Sequence, residues 1–105
     1  MSEGLKVAYI AGPYRAKTRE LRQRNIDAAA EVAKKYWQLG YATICPHTNS
    51  AHFDGNQPDE FFLEGYLEIL RRCNVIVMIP GWSESDGAKA EYNLARKLGL
   101  EIKYE

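Results

Sequence analysis

A chain of 105 residues makes one domain and, by surface scaling, buries roughly 65% of the surface its unfolded form exposes, enough for a ligand-sized core without staples. Its 14 Lys and Arg balance 14 Asp and Glu, so it has no general field to gather nucleic acid or an anionic membrane, and any anionic ligand has to be met by local groups. Cys45 and Cys73 lie at the ends of apolar segments without CxxC or Cys/His ligand spacing; free buried thiols in a reducing, cytoplasmic setting are expected, with no metal and no cofactor.

The N-terminus lacks an apolar signal core, and no run approaches the length of a membrane span. Lys6 to Gly12 (KVAYIAG) is a β-branched and apolar run ending in Gly-Pro, the pattern of a central parallel strand. Pro13, Tyr14 and Arg15 follow at its carboxyl end, where open α/β sheets bind ligands. Arg15 reads either as a bidentate grip on a phosphate or carboxylate or as a solvated loop cation.

Thr18 to Leu39 is expected as a helix, with Ile26, Ala29, Ala30, Ala33 and Trp37 on its buried side and Gly40 closing it. Tyr41 to Cys45 (YATIC) is a short strand stopped by Pro46, and His47, Thr48 and Asn49 collect just beyond it. His47 and His52 read as acid/base groups, ring contacts or structural hydrogen bonders. Ser50 to Pro58, rich in Asn, Asp, Gly and Pro, is a loop and a candidate lid.

Asp59 to Arg72 is the next expected helix, with Phe62, Tyr66, Ile69 and Cys73 stepping along one face and Glu60, Glu64 and Glu68 forming a solvated row. Asn74 to Ile79 (NVIVMI) is a strand buried on both faces, stopped by Pro80-Gly81. A turn containing Trp82 then opens a helix at Ser85, on which Ala88, Ala95 and Leu98 mark a buried stripe.

Glu91 falls on that same stripe. A carboxylate at an apolar position is either tied up by hydrogen bonds or kept for chemistry, because burying it unpaired is costly. Gly87, one turn earlier, leaves room for a ligand over Glu91, and Ser85 with the first free amides of the helix offers donors to a polar or anionic group. The plainer alternative is a capping serine beside a solvated glutamate. Gly99 ends the helix, and Leu100 to Tyr104 is a last short strand at an edge.

Four strands alternating with three helices at this length define a small doubly wound α/β sheet in flavodoxin-like order, a three-layer sandwich with four to five mainly parallel strands. In that order Gly12 to Arg15, Pro46 to Asn49 and Gly81 to Gly87 converge at the carboxyl ends of the strands.

Those segments carry a resemblance. Ala11-Gly12-Pro13-Tyr14-Arg15, Cys45-Pro46-His47-Thr48-Asn49, Gly81-Trp82 and Ser85-Asp86-Gly87-Ala88-Lys89-Ala90-Glu91 resemble the nucleoside 2-deoxyribosyltransferase-like superfamily, in a branch of short domains related to 2′-deoxynucleoside 5′-phosphate N-hydrolases. It spans residues 1–105 as a single domain. The resemblance implies Glu91 as nucleophile and Gly12 to Arg15 and Ser85 around the sugar or a 5′-phosphate, with His47, Asn49, Trp82 and Gly87 also at the substrate. It further implies a small-molecule nucleoside or nucleotide as partner, and a homodimer or larger assembly whose neighbouring subunit completes the site.

One position departs from the superfamily. Where its members carry an aspartate that serves the leaving base, this chain has Tyr66, which donates a hydrogen bond but is a weaker acid. Two functions stay open on this basis: an N-glycosidase or deoxyribosyltransferase working through a glycosyl-Glu91 intermediate, and a non-catalytic nucleotide-binding or sensing module.

Overall fold

The computed structural model describes residues 4–105. Four strands form one all-parallel sheet: β1 (Val7–Ala11), β2 (Ala42–Ile44), β3 (Val75–Met78) and β4 (Glu101–Tyr104), in the order β2-β1-β3-β4. Between them run α1 (Arg19–Gln38), α2 (Pro46–Asn49), α3 (Asp59–Leu70) and α4 (Asp86–Leu98), and a single 3-10 turn at Trp82–Glu84 precedes α4. This is a small flavodoxin-like α/β fold with β1 and β3 in the interior of the sheet.

The alternation of β1 separates two cores, because successive strand residues face opposite sides. Ala8 and Ile10, with Val75 and Val77 of β3, pack against Ala29, Ala33 and Tyr36 of α1. Tyr9 and Ala11, with Ile76 and Met78, pack against Leu70 of α3 and Ala95 of α4. Both interior strands are buried apart from the half-buried Val7 at the start of β1, as their unbroken apolar sequences require.

The helices begin and end where their chemistry dictates. The Thr18 hydroxyl accepts a hydrogen bond from the Leu21 amide at 3.1 Å, and Ser85 does the same for the Ala88 amide at 3.2 Å, each satisfying one orphan N–H of a first turn. Gly99 ends α4 at φ 73°, a left-handed conformation that costs a glycine nothing.

Three side chains expected inside lie outside. Trp37 is 59% exposed and its neighbour Tyr36 is buried in its place. Tyr36 fits because its hydroxyl donates to the Glu105 carboxylate at 3.0 Å while its ring covers the sheet. Ile69 and Leu98 are likewise exposed, and Leu70 is the fully buried member of α3. The buried positions still step by three and four, through Ile26, Ala29, Ala33 and Tyr36 on α1 and Ala88, Glu91 and Ala95 on α4, while Leu98 is the last residue of its helix. A further difference is local: Pro46 does more than end β2, since it is the first residue of α2, where its missing N–H is no loss.

Candidate functional site

The carboxyl ends of β1, β2 and β3 open into a cleft of about 750 Å³. Gly12, Pro13, Tyr14 and Arg15 come from the end of β1, Pro46 and His47 from α2, and Gly81 and Glu84 to Ala88 from the turn into α4. Phe62, Leu63 and Tyr66 of α3 form the opposite wall, with Ser50, Phe53 and Asp54 from the loop before it. The convergence expected from the strand order is therefore present, and it rests on two glycines. A Cβ on Gly12 would stand 2.9 Å from the Ile79 Cβ, and Gly81 turns the chain at φ 94° against Pro13.

Glu91 lies on the cleft lining, only 8% exposed. The Tyr9 hydroxyl donates a hydrogen bond to its Oε2. Burial pushes the carboxyl group up to about 7, although the bond from Tyr9 stabilises the ionised form and pulls the other way. Burial also raises the Tyr9 phenol, helped by the adjacent carboxylate, so this hydroxyl stays protonated and remains a donor. Tyr9 holds one carboxylate oxygen, and among the described residues no other group donates to this carboxylate. A carboxyl group poised near neutrality on a cleft wall is suited to nucleophilic or acid/base work.

Gly87 supports access to it: nothing lies within 4 Å of where its Cβ would be. Ser85 both caps α4 and lines the cleft, so the capping role and a place at the site coexist.

His47 is buried, and its Nε2–H donates to the Pro13 carbonyl at 2.9 Å. A carbonyl only accepts, so the proton sits on Nε2; burial holds the ring below the ordinary histidine pKa and keeps it neutral at pH 7. Its ring meets the Tyr14 ring edge-on at 5.8 Å. Histidine here ties α2 to the loop after β1. Tyr14 ties a third segment: its hydroxyl donates to Asp54 at 3.0 Å and accepts from the His52 amide at 3.1 Å, pinning the loop that sequence suggested as a lid.

Tyr66 is on the cleft wall, but its hydroxyl is engaged. It lies 2.7 Å from the Ser50 hydroxyl, accepts from Asn49 Nδ2 at 3.0 Å, and is 3.4 Å from the Pro46 carbonyl. Asn49 itself does not line the cleft, being turned to Tyr66. Trp82 does not line it either: its ring packs at a tilt of 32° against Tyr92, centroids 4.4 Å apart, and neighbours Tyr104 at 6.4 Å, an aromatic cluster beside the β4 edge. Both residues were expected at the substrate, and both instead support side chains or segments near it.

Arg15 reaches the cleft from an exposed loop and pairs with Asp59 at 2.7 Å. The lining is otherwise acidic, with Asp54, Asp59, Glu60, Glu84 and Asp86 besides Glu91. Sequence reading missed Tyr9 and this acidic lining. A signal for Tyr9 did exist: a tyrosine in a strand buried on both faces needs a partner for its hydroxyl, as an out-of-phase glutamate needs a donor.

With this geometry in place, comparison with known proteins gives a family. Residues 6–104 match the family described as Domain of unknown function (DUF4406), and the chain belongs to it. No curated protein matches the chain.

Proposed function

We propose that the protein is an N-glycosidase or deoxyribosyltransferase acting on a nucleoside or nucleoside 5′-monophosphate, with Glu91 as nucleophile. The observation that carries this reading is the buried Glu91 carboxylate on the cleft wall, held at one oxygen by Tyr9 and approached over Gly87. The ionised carboxylate attacks C1′ of the sugar, the C1′–N bond breaks, and its electron pair leaves with the base, which takes up a proton. Water then attacks C1′ and regenerates Glu91 in a hydrolase; a second base does so in a transferase.

In this scheme Tyr66 takes the part of the superfamily aspartate. Its hydroxyl and that of Ser50, 2.7 Å apart, supply the proton to the departing base. Gly12 to Arg15 and Ser85 surround the sugar. The reading includes a cytoplasmic location and an assembly of at least two subunits, supported by the exposed Phe53, Phe61 and Tyr104, since exposed aromatics favour interfaces. Light scattering reads the assembly: a mass of 12.0 kDa at all concentrations would exclude it.

One observation favours a second reading, a non-catalytic nucleotide-binding module. The Tyr66 hydroxyl already has Ser50, Asn49 and Pro46 around it, as a structural hydroxyl would. Incubation with a panel of nucleosides and monophosphates, followed by chromatography for free base, separates the two. Base release that disappears in Glu91→Gln supports the glycosidase; binding without release supports the module.

A further inference from the structure

The charges around the cleft are one-sided. Six carboxylates line it, and Arg15 is the only guanidinium on the lining among the described residues. Arg15 is committed to Asp59 at 2.7 Å. Two other cations stand behind the lining, Arg22 at 3.9 Å from Asp54 and Lys89 at 3.5 Å from Asp86, while Glu60 and Glu84 have no cation within salt-bridge distance among the described residues. The start of α4 contributes a positive end worth about half a charge, too little to reverse the excess. His47 is neutral and adds nothing.

We propose that the cleft takes the neutral, unphosphorylated nucleoside and turns away its 5′-monophosphate, with Asp59 the specificity-determining residue because its charge offsets the one guanidinium on the lining that a phosphate would need. This deepens the glycosidase reading and rests on it. Asp59 is the first residue of α3, where a carboxylate is also favoured by the helix end, so two attractions hold it in place. A phosphate entering the cleft meets a guanidinium whose charge Asp59 already offsets, and sits among the remaining carboxylates. A nucleoside brings hydroxyl and amine donors, which those carboxylates accept.

The exposed rim makes the effect dependent on salt. Calorimetric titration of the intact Glu91→Gln protein with nucleosides and their 5′-monophosphates, at ionic strengths of about 0.01 M and about 1 M, reads it while suppressing turnover. Each nucleoside is expected to bind about tenfold or more tightly than its monophosphate at low salt, with the ratio shrinking at high salt. Asp59→Asn in the same background raises monophosphate affinity about fivefold or more, and adding Arg15→Ala removes that gain. Glu84→Gln, which leaves α3 untouched, gives a smaller gain in the same direction.

Monophosphates that bind as tightly as nucleosides at low salt overturn the proposal, as does an Asp59→Asn protein, folded by circular dichroism, without the gain. Base release by the unsubstituted protein from monophosphates and nucleosides alike would reject this selectivity and leave the glycosidase reading standing. Absence of both binding and base release across the panel rejects the two together.

Discussion

The Tyr9 hydroxyl donates to the Glu91 carboxylate from the middle of an interior strand, so this buried group is held by the core and not by a loop. The fold leaves this carboxylate nearly dry, and its stability depends on pH as a result. Its folded pKa of about 7 lies above the ordinary value of 4.5, so between these values the folded state binds the extra proton. Stability from this group is therefore complete below about pH 4.5 and is lost as pH rises through about 7, a difference of about 3 kcal/mol.

Glu91→Gln removes that titration. The amide oxygen still accepts from Tyr9, so the variant is expected to melt well above the unsubstituted protein near pH 8 and close to it near pH 4. On the glycosidase reading, base release falls to background at both. Thermal melts at the two pH values check the first statement, and equal melting temperatures near pH 8 would refute it.

On the proposed glycosidase reading, turnover requires the ionised Glu91, so kcat/KM for base release is expected to rise with pH and level off above about 7. Tyr9→Phe removes the bond that favours the carboxylate and moves this rise to higher pH. A pH profile of Tyr9→Phe superimposable on the unsubstituted one would show that the hydroxyl does not act on Glu91.

Gly87→Ala separates stability from binding. The new methyl meets nothing within 4 Å, and alanine is the better helix residue by about 0.5–1 kcal/mol. The variant should melt slightly higher and bind ligand about tenfold more weakly, because the methyl occupies the approach to Glu91. Calorimetry with a nucleoside reads the second effect, and unchanged affinity would move the ligand elsewhere.

Tyr66→Phe leaves Ser50 and Asn49 short of a partner at a cost of about 1 kcal/mol in denaturant. As proton donor to the leaving base, the hydroxyl should also be worth about 10²-fold in turnover with KM little changed. A folded variant with full turnover would confine Tyr66 to a structural role.

Much of this was legible in the chain itself. Alternating apolar strands and amphipathic helices gave the layers, and the polar residues clustered after KVAYIAG and YATIC marked the cleft. Glu91 stood out because it broke the apolar period of its helix. The exchange of Trp37 for Tyr36 was not legible, because it turns on a hydroxyl reaching Glu105, 69 positions away. Nor was the departure of Trp82 to Tyr92, since such packing partners share no period along the chain. The Arg15–Asp59 pair escaped for a similar reason: which carboxylate meets a loop arginine is decided in space.

The parallel sheet sets a timetable for assembly. Each neighbouring strand pair is separated by intervening helix, and the Tyr9–Glu91 contact closes over 82 positions. Contacts of such separation form late and slowly in a small domain, after the local helices. A chain leaving the ribosome thus exposes β1 along one flank until residues 75–78 arrive, and Tyr9 meets Glu91 only after that. In a refolding experiment, recovery of ligand binding at the Glu91 cleft is then expected to track the last phase of folding and lag behind the return of helix.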